Sequence, residues 1–275
     1  MAPTLASALT ISTLGLVAKA FLNLACKDVR VRGSEHLLGA LQEPGKRAGL
    51  MKGKGRDMGI EADSERPDDS ERTRRRGIVT ICNHTSVVDD PLMWGIMPIS
   101  TWFPFASPTH TSQHTRWTLG ASDIMFKNPV MSKFFSLGQV IETVRGGGVF
   151  QPAIDEAIQK LGQGEWIHLF PEGKVNQPNL HPLGGMRRFK WGISRMLMDA
   201  EEMPEVIPIW ISGFDDVMPD TRTYLRFLPR PGKSVSITIG QPITSRILPI
   251  VERWRQIAQT SGNPGVGGKW SDSAR

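Results

Sequence analysis

The stretch that decides the fold is Ile78-Val79-Thr80-Ile81-Cys82-Asn83-His84-Thr85-Ser86-Val87-Val88-Asp89-Asp90-Pro91. A short run of β-branched and apolar residues stops at a polar turn and then meets a helix start. Pro at the first helical position gives up no needed hydrogen bond, so Asp90-Pro91 signals a helix beginning there; Ser86 with Asp89 is an alternative capping pair one turn earlier. On either reading the turn joins a strand to a helix. Downstream, β-branched runs at 140–144, 166–170, 206–211 and 235–239 alternate with helical patterns such as Ile154, Ile158 and Leu161. This rhythm predicts an α/β domain, with a mostly parallel central sheet flanked by helices and its working residues in the loops just after the strands.

Upstream, Ala2 to Ala18 holds no charged residue. Leu5 and Leu9 fall at i, i+4, and Leu14, Val17, Phe21 and Leu24 continue a helical spacing. Thr10, Ser12, Thr13 and Gly15 dilute the apolar character, so no window of span length reads as clearly apolar. Residues 1–26 are therefore expected to be an N-terminal membrane-anchoring helix at the interface, with an ordinary core-packing helix as the alternative. A Trp-containing stretch, 91–106, is broken by Pro98 and Pro104 and reads as a second interfacial segment. Residues 44–76 hold ten Lys or Arg and seven Asp or Glu with few aliphatics, which predicts a disordered charged insertion. The Gly-, Ser- and Pro-rich residues 260–275 are expected to be a disordered tail.

The formal charge of +6 and a pI near 9.5 point to anionic partners, and the insertion carries half of that excess. Eight Trp and twelve Met against one Tyr favour a membrane surface over nucleic acid, whose single-strand binders interleave Tyr and Phe with basic residues. Cys26 and Cys82 are far apart and match no zinc or redox spacing, so both are expected to be reduced and structural.

The chemistry centres on His84. An imidazole can take a proton from an alcohol, and a carboxylate on its other nitrogen fixes the tautomer and stabilises the imidazolium. Residues five apart on a regular helix point about 140° apart, so His84 and Asp89 meet only if His84 precedes the helix and folds back. A metal site is disfavoured, because apart from Cys82 no other His or Cys lies nearby in sequence. A buried His satisfied by a capping Asp remains the plainer alternative for this spacing alone. Three further blocks carry weight. Phe170-Pro171-Glu172-Gly173-Lys174 follows a strand; its Gly admits a substrate to the backbone and its Glu can hold a substrate hydroxyl. Arg145 precedes a run of three glycines, a setting suited to bidentate grip on phosphate. A strand Val206-Ile207-Pro208-Ile209-Trp210 leads to Gly213-Phe214-Asp215-Asp216, which reads as wall and turn.

In this order, these blocks resemble the glycerolipid acyltransferase superfamily. Asn83-His84-x-Ser86-x-x-Asp89-Asp90-Pro91-x-x-Trp94-Gly95, Ala121-Ser122-Asp123-Ile124, Phe134-Phe135-Ser136-Leu137-Gly138, the Phe170 block through Asn176, and Arg188-Phe189-Lys190-Trp191-Gly192-Ile193 are similar to the tafazzin family within it. The resemblance runs from about Ala18 to Val251 and departs from the family pattern at the charged insertion and at the Gly-rich tail. It implies an acyltransferase domain over 27–259 that moves acyl chains between phospholipids and lysophospholipids without CoA. Cardiolipin, monolysocardiolipin and phosphatidylcholine are the implied substrates, and a mitochondrial membrane, inner or outer and facing the intermembrane space, is the implied location. No cofactor, metal or nucleic acid is implied. His84 and Asp89 become the catalytic pair. Arg145, Pro171, Glu172, Gly173 and Lys174 become headgroup contacts, Asn83 and Ser86 support the turn, and backbone N–H groups just after Ser86 become oxyanion donors. An acyl-CoA-dependent 1-acylglycerol-3-phosphate acyltransferase using the same pair, and a catalytically idle membrane scaffold, are the alternatives.

Overall fold

The computed structural model describes residues 4–41, 76–102, 115–177, 185–225 and 228–260. Among them, seven strands form one sheet: β1 (Asp28–Arg32), β2 (Ile78–Cys82), β3 (Trp117–Ala121), β4 (Val140–Thr143), β5 (Trp166–Leu169), β6 (Glu205–Ser212) and β7 (Ser234–Ile239). Their order is β1-β7-β6-β2-β5-β3-β4. Every neighbouring pair is parallel except β6 with β7. The mostly parallel sheet expected from the sequence is present, with two strands, β1 and β3, that the β-branched runs do not mark. β1 alternates with charged residues at the sheet edge, and β3 carries a Gly and a Thr in five residues.

β2 has neighbours on both sides and is covered on both faces, which is why its sequence is a continuous apolar run. Ile78 and Cys82 face a core shared with Leu37, Met93, Trp94, Ile207, Phe214 and Ile237. Val79 and Ile81 face the other core, with Ile154, Ala157, Ile167, Met196 and Val251. The helices supplying the first layer are α1 (Leu5–Ala20), α2 (Ser34–Leu41) and α3 (Asp89–Met93). After β3 come α4 (Ser122–Met125) and α5 (Pro129–Leu137), the latter started by Asn128, whose side chain accepts from Met131 N at 2.9 Å, and by Pro129 at its first position. α6 (Pro152–Gly162), α7 (Gly192–Asp199) and α9 (Thr244–Thr260) cover the opposite face, and the short α8 (Phe214–Val217) follows β6.

The N-terminal segment differs from its expectation in degree of apolarity. α1 continues through one π turn, Phe21–Ala25, and the 21-residue segment Leu5–Ala25 contains an 18-residue window of mean hydropathy 1.7, long and apolar enough to cross a membrane. The polar residues that dilute it are absorbed by hydrogen bonds. Thr10 Oγ1 donates to Ala6 O, Ser7 Oγ to Leu137 O, Ser12 Oγ to Trp102 O, and Lys19 Nζ to Gly95 O and Met97 O. The glycines are docking notches: a Cβ on Gly15 would strike the Trp102 ring at 2.5 Å, and one on Gly95 would strike the α1 backbone at Ala18. α1 thus lies along the domain with one face packed and the other outward, as a helix suited to membrane association.

Pro91 to Trp102 is not an interfacial segment. Leu92, Met93, Trp94, Met97 and Trp102 are buried in the core beneath α1, and residues 103–106 of that stretch lie outside those described. The expectations of disorder fall at 44–75 and 261–275, also outside the described residues. Arg76, the last residue of the charged stretch, pairs with Glu202 at 3.5 Å, and Thr260 closes α9.

Candidate active site

His84 stands two residues beyond β2, at the C-terminal edge of the sheet. Its Nδ1 lies 2.9 Å from Asp89 Oδ2. Asp89 begins α3 and turns its carboxylate back over the connecting turn, where the same oxygen accepts from Ser86 N at 2.8 Å and from Thr85 N, and Oδ1 accepts from Thr85 Oγ1 at 3.1 Å. The fold-back required by the five-residue spacing is therefore made by the backbone amides of the turn itself. Pro91 occupies the third helical position, because the helix starts two residues earlier than a Pro91 start indicates.

Burial pushes the Asp89 carboxyl up, and the His84 hydrogen bond and the two amides pull it partly back. An ionised carboxylate only accepts, so Nδ1 carries the imidazole proton and Nε2 is the basic nitrogen. The His84 side chain is 20% exposed whereas Asp89 is sealed, so the ring is open to a reacting group and its partner is not. Phe170 stacks on the His84 ring, with centroids 4.1 Å apart and planes 19° from parallel. Cys82 is buried beneath, its thiol pushed well above its ordinary value first by burial and then by Asp89, Asp90 and Glu172. It is a core residue without thiolate character.

Two other segments hold the turn. Asn83 clips β2 to β6: its Nδ2 donates to Ile211 O at 2.9 Å, and its Oδ1 accepts from Ile211 N at 2.8 Å. Ser86 Oγ donates to Met218 O at 3.1 Å, and Gln177 Nε2 donates to Thr85 O at 2.9 Å and Met218 O at 3.1 Å. The amides of Thr85 and Ser86 are spent on Asp89, and Asp89 N donates to Ser86 O. Of the amides around the expected oxyanion site, those of Ser86 and Asp89 are therefore already engaged within the turn.

The Phe170 block has a different job from the one its sequence implies. Glu172 is buried, and its carboxylate accepts from His84 N at 3.0 Å, Asn176 Nδ2 at 2.8 Å and Arg187 N at 2.8 Å. These three bonds leave little acceptor capacity for a substrate hydroxyl; Glu172 is a clamp on the His84 turn. Gly173 is required by its left-handed φ of 68°, and its N–H closes a turn on Phe170 O at 2.9 Å, while Gly173 itself is exposed beside the Lys190 stem. Pro171 is buried and its carbonyl accepts from Lys190 N at 2.8 Å, whereas Lys174 is exposed. The run 186–190 forms neither helix nor strand, and Arg195, on α7, makes ion pairs with Asp155 and Asp199.

Arg145 follows β4 and lies at the same sheet edge, three strands from β2, or about 14 Å at the usual strand spacing. It is 41% exposed and touches Asp123 at 3.3 Å. A pair that sequence reading did not single out lies behind the turn. Arg116 grips Asp90 through both oxygens, Nε to Oδ1 at 3.0 Å and Nη2 to Oδ2, and Trp94 Nε1 adds a bond to Oδ1 at 3.2 Å. Burial, the largest single influence, would raise the Asp90 carboxyl, but Arg116, His168 and the Trp94 hydrogen bond together outweigh it and hold the group below its ordinary value. The acidic neighbour was visible in the sequence; its partner 26 residues on was not.

A family model described as Acyltransferase matches residues 66–212, which include the His84 turn, Arg145 and the Phe170 block. The chain belongs to the acyltransferase family. This acyltransferase is 38% identical over 172 residues to a tafazzin of Drosophila melanogaster, covering 62% of this chain and 42% of that protein. It is 36% identical over 177 residues to an N-acylphosphatidylethanolamine synthase of Arabidopsis thaliana, covering 64% and 58%. The chain spans about half the length of the curated relatives it matches. Its fold is also that of a 1-acyl-sn-glycerophosphate acyltransferase from Thermotoga maritima, at a TM-score of 0.50 and 19% identity over 92% of this chain and 79% of that one. The acyltransferase is thus similar in sequence to tafazzins over about three fifths of its own length.

Proposed function

We propose that this acyltransferase is a CoA-independent phospholipid:lysophospholipid transacylase that remodels cardiolipin and monolysocardiolipin, exchanging chains with phosphatidylcholine at a mitochondrial membrane, inner or outer, facing the intermembrane space. The observation that carries the reading is the sealed Asp89 carboxylate 2.9 Å from Nδ1 of a partly open His84, which leaves Nε2 as the base. His84 Nε2 takes the proton from the free hydroxyl of a lysolipid as that oxygen attacks the ester carbonyl of the donor. Asp89 stabilises the imidazolium, which returns the proton to the departing glycerol oxygen. Both sides of the reaction are an ester and an alcohol, so exchange runs in either direction. No enzyme nucleophile is needed, in keeping with a buried Cys82 and a Ser86 hydroxyl held by Met218 O. Arg145 and Lys174, exposed at the edge shared with His84, serve the headgroup phosphates. α1 holds the enzyme in one leaflet, peripheral or half-inserted.

The test incubates purified protein with labelled phosphatidylcholine and monolysocardiolipin, with and without acyl-CoA. Transfer without acyl-CoA is expected. Strict dependence on acyl-CoA would replace this reading with the 1-acylglycerol-3-phosphate type, and no transfer from either donor by folded protein would leave a scaffold. A phosphatidylethanolamine arm measures whether an amine serves as acceptor, as the name of the Arabidopsis relative invites.

A further inference from the structure

α4 and α5 have an outer face that the fold does not cover. No residue of α5 is buried, and Val130 is 79% exposed. Val130 and Phe134 are four apart and share one stripe, with Ile124 of α4 exposed nearby. Lys127, between the two helices, and Lys133 are exposed beside them, and α5 contains no acidic residue. Asp123 of α4 is engaged by Arg145.

This face is not isolated. α5 packs against α1, where Ser7 Oγ donates to Leu137 O at 2.7 Å. The outer side of α1 near that contact presents Leu5 and Leu9 and carries no charge. Scattered exposed apolar residues are ordinary, but two helices packed on each other that both expose apolar side chains, beside lysines and without acids on α5, are a candidate docking site. The lysines decide the occupant. A second copy of this chain would set Lys127 and Lys133 against their equivalents with no acid on α5 to meet them. A bilayer with anionic headgroups accepts the apolar stripe at acyl depth and the ammonium groups at phosphate level. We propose that α4 and α5 are a second membrane-docking element, which with α1 seats the domain on an anionic bilayer. This rests on the lipid-substrate reading only in that such an enzyme works at a bilayer; its readout is binding.

The test uses the full chain with His84→Ala, so that turnover leaves vesicles unchanged, and Cys26→Ser, so that an environment-sensitive dye reports one site. Dye on Val130→Cys is compared with dye on Ile250→Cys, which is 70% exposed on α9 at the opposite face of the sheet. With vesicles of phosphatidylcholine and phosphatidylglycerol, the Val130 label is expected to shift to the blue and the Ile250 label to stay as in buffer. Val130→Asp with Phe134→Asp is expected to weaken vesicle binding about tenfold. Lys127→Glu with Lys133→Glu is expected to remove most of the preference for anionic over pure phosphatidylcholine vesicles. An unchanged Val130 label on bound protein, an equal response at Ile250, or a response that grows with protein concentration without vesicles would each overturn the proposal, the last in favour of self-association. Docking without acyl transfer by the His84-intact chain would reject the transacylase reading alone; acyl transfer with an inert Val130 label would reject only the docking element.

Discussion

Two loops at the same edge of the sheet are built in opposite ways. The loop after β2, with His84 and Asp89, is bonded on every side: Asp89 takes four donors, Glu172 holds the His84 amide, and Asn83 and Ser86 are anchored to β6 and to Met218. The loop after β4 turns on Gly146 and Gly148 in left-handed conformations and leaves Arg145 half exposed on one 3.3 Å contact. On the proposed function, the difference separates two tasks. A proton moves efficiently only when base and orienting group are set before substrate arrives, whereas a varied lipid headgroup is met better by a side chain that can adjust.

The first way to break this comparison is at the rigid loop. His84→Ala and Asp89→Asn are each expected to lower the initial rate of acyl transfer by about 10²- to 10⁴-fold, because one removes the base and the other the charge that stabilises the imidazolium. Near-normal turnover in His84→Ala would end the proposed mechanism. The two effects of Asp89→Asn should also separate. Burial raises the folded pKa of Asp89 above its unfolded value, so its ionised form subtracts stability above that pH, a cost relieved as pH falls through the raised value. Against that relief, the single amide oxygen of Asn cannot accept from His84, Thr85 and Ser86 together, so a melt of Asp89→Asn at neutral pH should show a net loss of about 1–3 kcal/mol, smaller at pH 7 than the lost hydrogen bonds alone would give.

Its neighbour predicts the reverse. Asp90 is held low by Arg116, so it adds stability above the ordinary carboxyl pKa and loses it as pH falls through the lowered folded value. Arg116→Ala leaves a half-buried carboxylate with the Trp94 bond but without its cation, and is expected to cost up to about 3 kcal/mol by denaturant titration. The gap to the parent should shrink once pH is below about 4. A gap that is small at pH 7, or constant with pH, would mean the pair does not hold the turn from behind.

Glu172→Gln sharpens the contrast between clamp and ligand. Its amide cannot accept from His84 N, Asn176 and Arg187 N together, and the expected loss is about 1–3 kcal/mol of stability. Initial-rate kinetics should show kcat falling with KM little changed. A raised KM at unchanged stability would return Glu172 to the headgroup.

What the sequence shows and what it hides follow the range of each interaction. β2 and β4 to β7 are legible because burial writes itself into β-branched runs, while β1 and β3 are masked by charges at an edge and by Gly120 and Thr118. His84 and Asp89 are legible because the turn that joins them is local. Phe170 over His84, Arg116 on Asp90 and Glu172 beneath His84 join residues 86, 26 and 88 positions apart, and only the crossover topology brings them together. The apolarity of α1 was understated for a similar reason: Ser7, Ser12 and Lys19 look polar in sequence, but their partners near 95–102 and at Leu137 neutralise that polarity.

The smallest expected effect, and the one that tests the open loop, is that of Arg145→Lys. A guanidinium can hold two phosphate oxygens at once, and an ammonium cannot reproduce that fork. The exposure of Arg145 means that solvent screens the contact, so apparent affinity for lysolipid vesicles is expected to fall only about threefold to tenfold, with kcat less affected. Asp123→Ala distinguishes the two roles open to Arg145. If the ion pair with Asp123 merely props the β4 loop, removing either partner should loosen binding alike. If Arg145 serves the headgroup, Asp123 competes with phosphate for the same guanidinium, and Asp123→Ala should leave affinity unchanged or improve it while Arg145→Lys lowers it. Equal losses in the two variants would make Arg145 a structural residue and leave Lys174 to meet the headgroup.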